Sequence, residues 1–189
     1  LSPFGAIVVA FILYQIFAFG LRRVKNLGTI NRAFSLLSII AGCFTAYTIG
    51  SNDVGAGFGI LKAILEEGVS LWSPKLIVVF GSLSLIIGAL TYSKRVMQTV
   101  GRGITRLDAV TASSAQIGAA VVVLSFNQFG IPVSTSQAIV GGIIGVGIVK
   151  GVATVSKRRV GKIALTWILT PLVAAGLAFC FGWILLKLF

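Results

Sequence analysis

Six apolar segments, each about long enough to cross a membrane as a helix, constrain what this chain can fold into. They cover residues 4–20, 33–49, 74–92, 109–126, 131–149 and 163–186. A helix of about 20 residues spans the ~30 Å hydrocarbon layer of a bilayer. The segments are continuously apolar and do not alternate, which disfavours a β-barrel. We therefore predict an all-α polytopic protein of the cell membrane, with one transmembrane domain over residues 1–189.

The charged residues predict how the segments thread the membrane. Only 11% of the residues are charged, against roughly a quarter in a soluble domain. Lys and Arg are enriched in cytoplasmic loops, so we place the three basic loops inside, which gives five crossings and one in-and-back excursion. The net charge of +12 thus reports topology and predicts no nucleic-acid partner. The basic loops contain Arg22, Arg23 and Lys25; Lys94, Arg95, Arg102 and Arg106; and Lys150, Lys157, Arg158, Arg159 and Lys162.

Residues 33–66 are too long for one simple span, since 34 helical residues would measure roughly 50 Å. The middle of this stretch reads YTIGSNDVGAGFG, and its glycines predict a discontinuous helix, unwound near 50–59. Asp53 is the one acid deep inside an apolar segment, where a carboxylate costs at least ~2.5–3.5 kcal/mol. Such a residue indicates binding, usually of a cation. The alternative is an ordinary aspartate in a glycine-rich loop outside the membrane.

Residues 109–149 are predicted to form a re-entrant helical hairpin whose tip contains NQFGIP. Pro132 suits the first turn of a helix, which places Ser134, Thr135 and Ser136 at a helix start. Unpaired amides and the helix dipole make such a turn a site for anions. Plain helix capping is the alternative. The glycines at 141, 145, 147 and 151 have small-xxx-small spacing, which predicts close helix packing.

These motifs resemble those of the inorganic phosphate transporter (PiT) family. GSNDVGAGFG resembles its glycine-Asn-Asp signature, and GIPVSTSQAIVGGIIGVG resembles its Pro-Val-Ser-Thr-Thr-His stretch. DAVTASSAQIGAA and KIALTWILTPLVAA match the family pattern in order and spacing, so the resemblance covers most of the chain. Ser136 and Gln137 depart from the family, because Thr and His are common there.

The resemblance implies a symporter that carries inorganic phosphate with Na⁺ or H⁺, built from two inverted repeats, and a homodimer of the full-length protein. One set of signatures is present, so the chain resembles one half, the C-terminal one, with 163–186 as its final span. It begins without Met and is expected to be a piece of something longer or a processed chain. We expect it to need the other half for transport.

The chemistry of the polar residues predicts roles for them that fit this picture. Ser134, Thr135, Ser136 and Asn52 are expected to bind phosphate. Asp53, a Na⁺ candidate, is expected to bind the cation with Asn52, Ser51 and Gln116. Gln116 could instead make an interhelical hydrogen bond.

Three further expectations complete the sequence analysis. Asp108 is expected to cap the first hairpin helix and, as an alternative, to bind an ion. A permease for another tetrahedral oxyanion such as sulfate, or a non-transporting membrane subunit, are the alternative functions. The chain has no histidine, and no nucleophile–base pair is apparent, so we predict no enzyme activity and no cofactor beyond a coupling Na⁺.

Overall fold

A computed structural model describes residues 1–21, 27–55, 74–101 and 103–188 of the chain. All regular structure in these ranges is helical, which confirms the predicted all-α class. A π-helical turn, Gly50–Val54, continues the second helix, and a 3-10 turn, Val152–Thr154, precedes the last. The helices are α1 (Ser2–Leu21), α2 (Leu27–Ile49), α3 (Pro74–Gly101), α4 (Ala109–Gln128), α5 (Thr135–Val149) and α6 (Lys157–Leu188).

The lengths and apolar character of the helices fit a multi-pass membrane protein. Four stretches in the described residues are long and apolar enough to cross a bilayer: Ser2–Leu21, Arg32–Val54, Ala109–Gln128 and Lys157–Leu185. By contrast, α5 has 15 residues and measures about 22 Å, which is short of the ~30 Å hydrocarbon layer. Of the two helices of the predicted hairpin, α4 is therefore long enough to span the bilayer and α5 is not.

The chain forms two compact units, Leu1–Val155 and Ser156–Phe189. The first unit contains α1 to α5 and the buried core. A central part of that core joins α1, α4 and α5 through Ala6, Ala119, Val122, Val123 and Ala138. The second unit is the single helix α6, which has Pro171 in its interior.

Glycines let α1 lie directly against the backbones of α4 and α5. A Cβ on Gly141 would come within 2.3 Å of the Pro3 carbonyl oxygen, and one on Gly145 within 2.4 Å of the Ile7 oxygen. A Cβ on Gly118 of α4 would meet the Ala10 backbone at 2.8 Å. The two α5 pairings show that α1 runs parallel to α5. Gly5 of α1 lies against Val122 of α4, and with the Ala10–Gly118 pairing this shows that α1 runs antiparallel to α4. The predicted close packing is thus confirmed for these α5 glycines.

For Gly151 the prediction of close helix packing is wrong. Gly151 follows the end of α5 and has a φ of 116°, a left-handed conformation that favours glycine. Gly147 does pack closely, because a Cβ there would approach Val155 at 2.6 Å.

Serines hold α2 along α4. The hydroxyls of Ser38 and Ser113 lie 2.7 Å apart, and each also bonds the carbonyl four residues earlier in its own helix. Since Phe34 and Ser38 meet Ser113 while Ser51 meets Asn127 further along, α2 runs parallel to α4. The end of α2 consequently lies beside the far end of α4, at the turn between α4 and α5.

That turn is built on Gly130. Its φ of 67° lets the Gly130 amide donate to the Asn127 carbonyl and the Ile131 amide to the Phe126 carbonyl, which is the Schellman pattern of helix termination. Pro132 was expected in the first turn of the next helix, and this is wrong. The α5 helix begins at Thr135, because the Ser134 backbone is extended and its hydroxyl caps the helix by accepting from the Gln137 amide.

At the opposite end of the hairpin, Asp108 caps α4 as predicted. Its carboxylate accepts from the Thr111 amide at 2.9 Å, and the Thr111 hydroxyl accepts from the Asp108 amide at 2.8 Å. Lys150, just after α5, forms an ion pair with the same carboxylate. Partial burial raises the pKa of Asp108, but the bonds from Lys150 and Thr111 outweigh it and leave the pKa below its ordinary value. The two ends of the hairpin are thereby joined by a charged contact.

Candidate functional site

The Ser-Asn-Asp motif lies on the π-helical turn at the end of α2. The chain stays helical from Gly50 to Gly55, so the expected unwinding is not present there; residues 56–59 lie outside the described part. A π turn widens the helix by one residue, a distortion that often occurs at functional sites. Here it leaves Asn52 buried and Asp53 exposed.

Asn52 joins this turn to the segment before α5. Its Nδ2 donates to the Val133 carbonyl oxygen at 2.6 Å, and its Oδ1 accepts from the Val133 amide at 3.4 Å. A side-chain amide that pairs with both backbone groups of one residue fixes position and orientation together. Asn52 is therefore committed to holding the two motifs in register, which competes with the expected role as a ligand.

Asp53 receives hydrogen bonds from both sides of this junction. The Thr135 hydroxyl donates to its Oδ2 at 3.1 Å, and Asn52 Nδ2 donates to its Oδ1 at 2.7 Å. Thr135 and Asp53 are 82 residues apart in the sequence. The two motifs that the sequence singled out thus meet at one carboxylate.

Asn127 is a contact that sequence reasoning missed. It lies near the end of α4, and its Nδ2 donates to the Ser51 hydroxyl at 3.2 Å. The available signal was an amide side chain next to the predicted hairpin turn. We call this group of polar contacts the tip cluster; it consists of Ser51, Asn52, Asp53, Asn127, Val133 and Thr135.

The other candidate residues lie apart from this carboxylate. Ser134 uses its hydroxyl to cap α5, which is the alternative left open for it. Ser136 and Gln116 instead line a cavity of about 950 Å³ between α3 and the hairpin. Gln116 Oε1 is buried and makes no hydrogen bond in the described residues, so the alternative of an interhelical bond is not realised through this oxygen.

The tip cluster can offer a cation several oxygens and one formal charge. Its side-chain oxygens belong to a carboxylate, hydroxyls and amides, the kinds of ligand that hard cations prefer. No group of three or more His, Cys, Asp or Glu side chains that could hold a metal occurs in the described residues. One carboxylate among neutral oxygens suits a hard cation better than a transition metal, which favours sulfur and imidazole ligands. Beside it, the first turn of α5 points amides without helical acceptors toward the same end of the hairpin.

Comparison with known protein families decides the relationship. The model of the phosphate transporter family matches residues 1–178. The chain belongs to this family. Within it, the chain is 34% identical over 180 residues to a protein of Methanocaldococcus jannaschii assigned as a phosphate permease, covering 95% of this chain and 56% of the relative.

Two further relatives extend the comparison to bacteria and plants. A protein of Haemophilus influenzae assigned as a phosphate permease is 33% identical over 169 residues, which are 86% of this chain and 40% of that protein. The chloroplastic inorganic phosphate transporter 2-1 of Arabidopsis thaliana is 30% identical over 163 residues, 82% of this chain and 28% of the relative. No solved structure matches the chain significantly. The chain thus spans between about a quarter and somewhat over half of these family members.

Proposed function

We propose that the chain supplies one half of the transport path of a cation-coupled inorganic phosphate symporter, with the tip cluster as its ion site. The observation that carries the proposal is the Thr135–Asp53 hydrogen bond. It joins the carboxylate of the tip cluster to the start of a helix that can bind an anion.

The electrostatics of this contact give a reason for coupling. Phosphate carries one to two negative charges at neutral pH, so the Asp53 carboxylate alone repels it. A Na⁺ or H⁺ on Asp53 removes that repulsion and lets an anion approach the start of α5. Charge balance between Asp53 and the anion therefore makes phosphate binding depend on the cation.

Thr135 is the residue that links the two ions. Its hydroxyl donates a hydrogen bond to the Asp53 carboxylate. A cation on the carboxylate takes over that interaction and frees the hydroxyl to donate to a phosphate oxygen. The proposed order is cation first and phosphate second. In this scheme Ser134 supports the site by capping α5, and Asn52 supports it by its hydrogen bond to Val133.

The remaining parts of the proposal concern the assembly. The matched residues span between 28% and 56% of the three relatives, which fits one half of an inverted-repeat carrier whose site lies between broken helices near the bilayer midplane. The residues 109–149 form the re-entrant hairpin of this half. The complete transporter contains a second half of opposite orientation and assembles as a homodimer.

Thr135→Val in the complete transporter tests the proposed link. A hydrogen bond to a charged group contributes roughly 1.5–3 kcal/mol, so we expect the apparent affinity for phosphate, and for Na⁺ if Na⁺ is the coupling ion, to fall by about 10–100-fold. Thr135→Ser keeps the hydroxyl and should retain most of the affinity. Labelled phosphate uptake over a Na⁺ titration, repeated at several pH values, measures the apparent affinities for phosphate and for the cation.

Ser134→Ala is the matched control. It removes a neighbouring hydroxyl whose bond is a helix cap, so it should lower thermal stability by about 1 kcal/mol and change the apparent affinities much less. Unchanged phosphate and cation affinities in a folded Thr135→Val protein would contradict the proposal. Adding sulfate as a competitor tests the alternative substrate, because equal competition by sulfate and phosphate would favour a general oxyanion permease.

A further inference from the structure

The first turns of α6 carry a group of exposed cations that the transport site does not use. Arg158, Arg159 and Lys162 are all exposed, and we call them the basic cluster. At helical spacing, Lys162 lies next to Arg158 at i+4 and next to Arg159 at i+3. The three side chains therefore share one side of the helix and repel one another.

The placement of the basic cluster is unfavourable for an isolated helix. Cations near a helix N-terminus oppose the macrodipole, which favours anions there. The first turn of α6 contains no acidic residue, and none of the three cations forms an ion pair within the part of the chain that the structure describes. Among the described residues, no acidic side chain offsets the mutual repulsion of these cations or their repulsion by the helix dipole. An external anion is therefore the natural counter-charge.

The rest of α6 indicates where that anion lies. The stretch Lys157–Leu185 is apolar and long enough to span a bilayer. At its far end, Lys187 stacks on the ring of Trp183 with 4.1 Å between the ammonium and the ring centroid, a pairing suited to a membrane interface. Lys162 and Lys187 are about 37 Å apart along the helix, more than the ~30 Å hydrocarbon layer. Both ends thus lie at headgroup level.

We infer that the basic cluster is a binding surface for anionic phospholipid headgroups. The phosphates of neighbouring lipids lie at the level of these side chains, and arginine binds phosphate through paired N–H donors. The occupant is lipid and not dissolved phosphate, because lipid presents its phosphate at a fixed depth beside an exposed apolar helix. This surface is independent of the proposed transport activity.

Lipid titration into the detergent-solubilised chain, with bound lipid counted by native mass spectrometry, tests the inference. Each basic residue near an anionic surface contributes about 1 kcal/mol, or about fivefold in affinity. The triple variant Arg158→Gln, Arg159→Gln, Lys162→Gln should therefore bind phosphatidylglycerol about 100-fold more weakly, with phosphatidylcholine binding unchanged. A control that removes three scattered exposed cations, Arg32→Gln, Lys75→Gln, Lys94→Gln, should keep the wild-type affinity for phosphatidylglycerol.

Two further measurements make the outcome decisive. If the triple variant does not fold, Lys162→Gln alone should weaken phosphatidylglycerol binding about fivefold. Inorganic phosphate without anionic lipid should change the thermal unfolding of the wild type and of the cluster variant equally. Equal phosphatidylglycerol affinity in the cluster and control variants would overturn the inference. So would stabilisation by inorganic phosphate that the cluster variant loses.

Discussion

Asp53→Asn in the complete transporter is expected to abolish the cation dependence of phosphate uptake and to lower uptake about 10–100-fold. The variant keeps the size of the side chain and can still hydrogen-bond to Thr135 and Asn52, but it removes the one formal charge that attracts a cation to the tip cluster. Losing an interaction with a charged group costs roughly 1.5–3 kcal/mol, or about one to two decades in affinity. Uptake of labelled phosphate across a range of Na⁺ concentrations and pH measures the effect.

Asp108→Asn is the matched control for this substitution. Asp108 is also an aspartate beside the hairpin, but it caps α4 and pairs with Lys150. Asparagine caps helices about as well as aspartate, so this variant should keep its cation dependence. An Asp53→Asn transporter with normal Na⁺ and pH dependence would remove Asp53 from the coupling site, whatever its rate.

The double variant Gly141→Ala, Gly145→Ala is expected to destabilise the fold by about 2–6 kcal/mol. Each new methyl group would lie within 2.3–2.4 Å of a backbone oxygen of α1, and neither backbone can withdraw without separating α1 from α5. Overpacking of this kind costs about 1–3 kcal/mol per site, a large part of a typical folding free energy of about 5–15 kcal/mol. Thermal unfolding in detergent or in a nanodisc gives the measurement.

The control pair is Gly81→Ala with Gly88→Ala on α3, where an added Cβ meets nothing within 4 Å. Alanine favours a helix over glycine by up to about 1 kcal/mol, so the control should be neutral or stabilising. The two pairs are therefore expected to shift unfolding in opposite directions. If the α5 variant is no less stable than the α3 variant, the close approach of α1 to α5 is contradicted.

The helices themselves could be predicted from the sequence, because their signals are local. Continuous apolar segments gave the all-α class, and the position of Asp108 before an apolar run gave the cap of α4. The spacing of the small residues at 141 and 145 predicted close helix packing. The start of α5 was predicted too early in the chain, because the geometry of Pro132 suits a first helical turn. The Ser134 cap determines where the helix begins.

The partners of these residues could not be predicted, because they depend on tertiary contacts. Nothing local indicates that α1 fills the groove opposite Gly141, or that Asn127 bonds Ser51. The most informative contact, Thr135 with Asp53, joins residues 82 positions apart. Sequence reasoning assigned them separately, one to the anion and one to the cation, and their hydrogen bond suggests that they act together.

Cysteine cross-linking tests most directly whether the Ser-Asn-Asp turn and the hairpin tip form one ion site. Ser51→Cys and Asn127→Cys replace side chains whose polar atoms lie 3.2 Å apart, in a complete transporter from which Cys43 and Cys180 have been removed. A short thiol cross-linker should join this pair rapidly, and phosphate together with the coupling cation should slow the reaction. The control pair, Ser51→Cys with Thr154→Cys, places the second thiol beyond the other end of α5 and should not react. Cross-linking no faster than in the control pair would contradict the account, and so would a rate that phosphate and the cation leave unchanged.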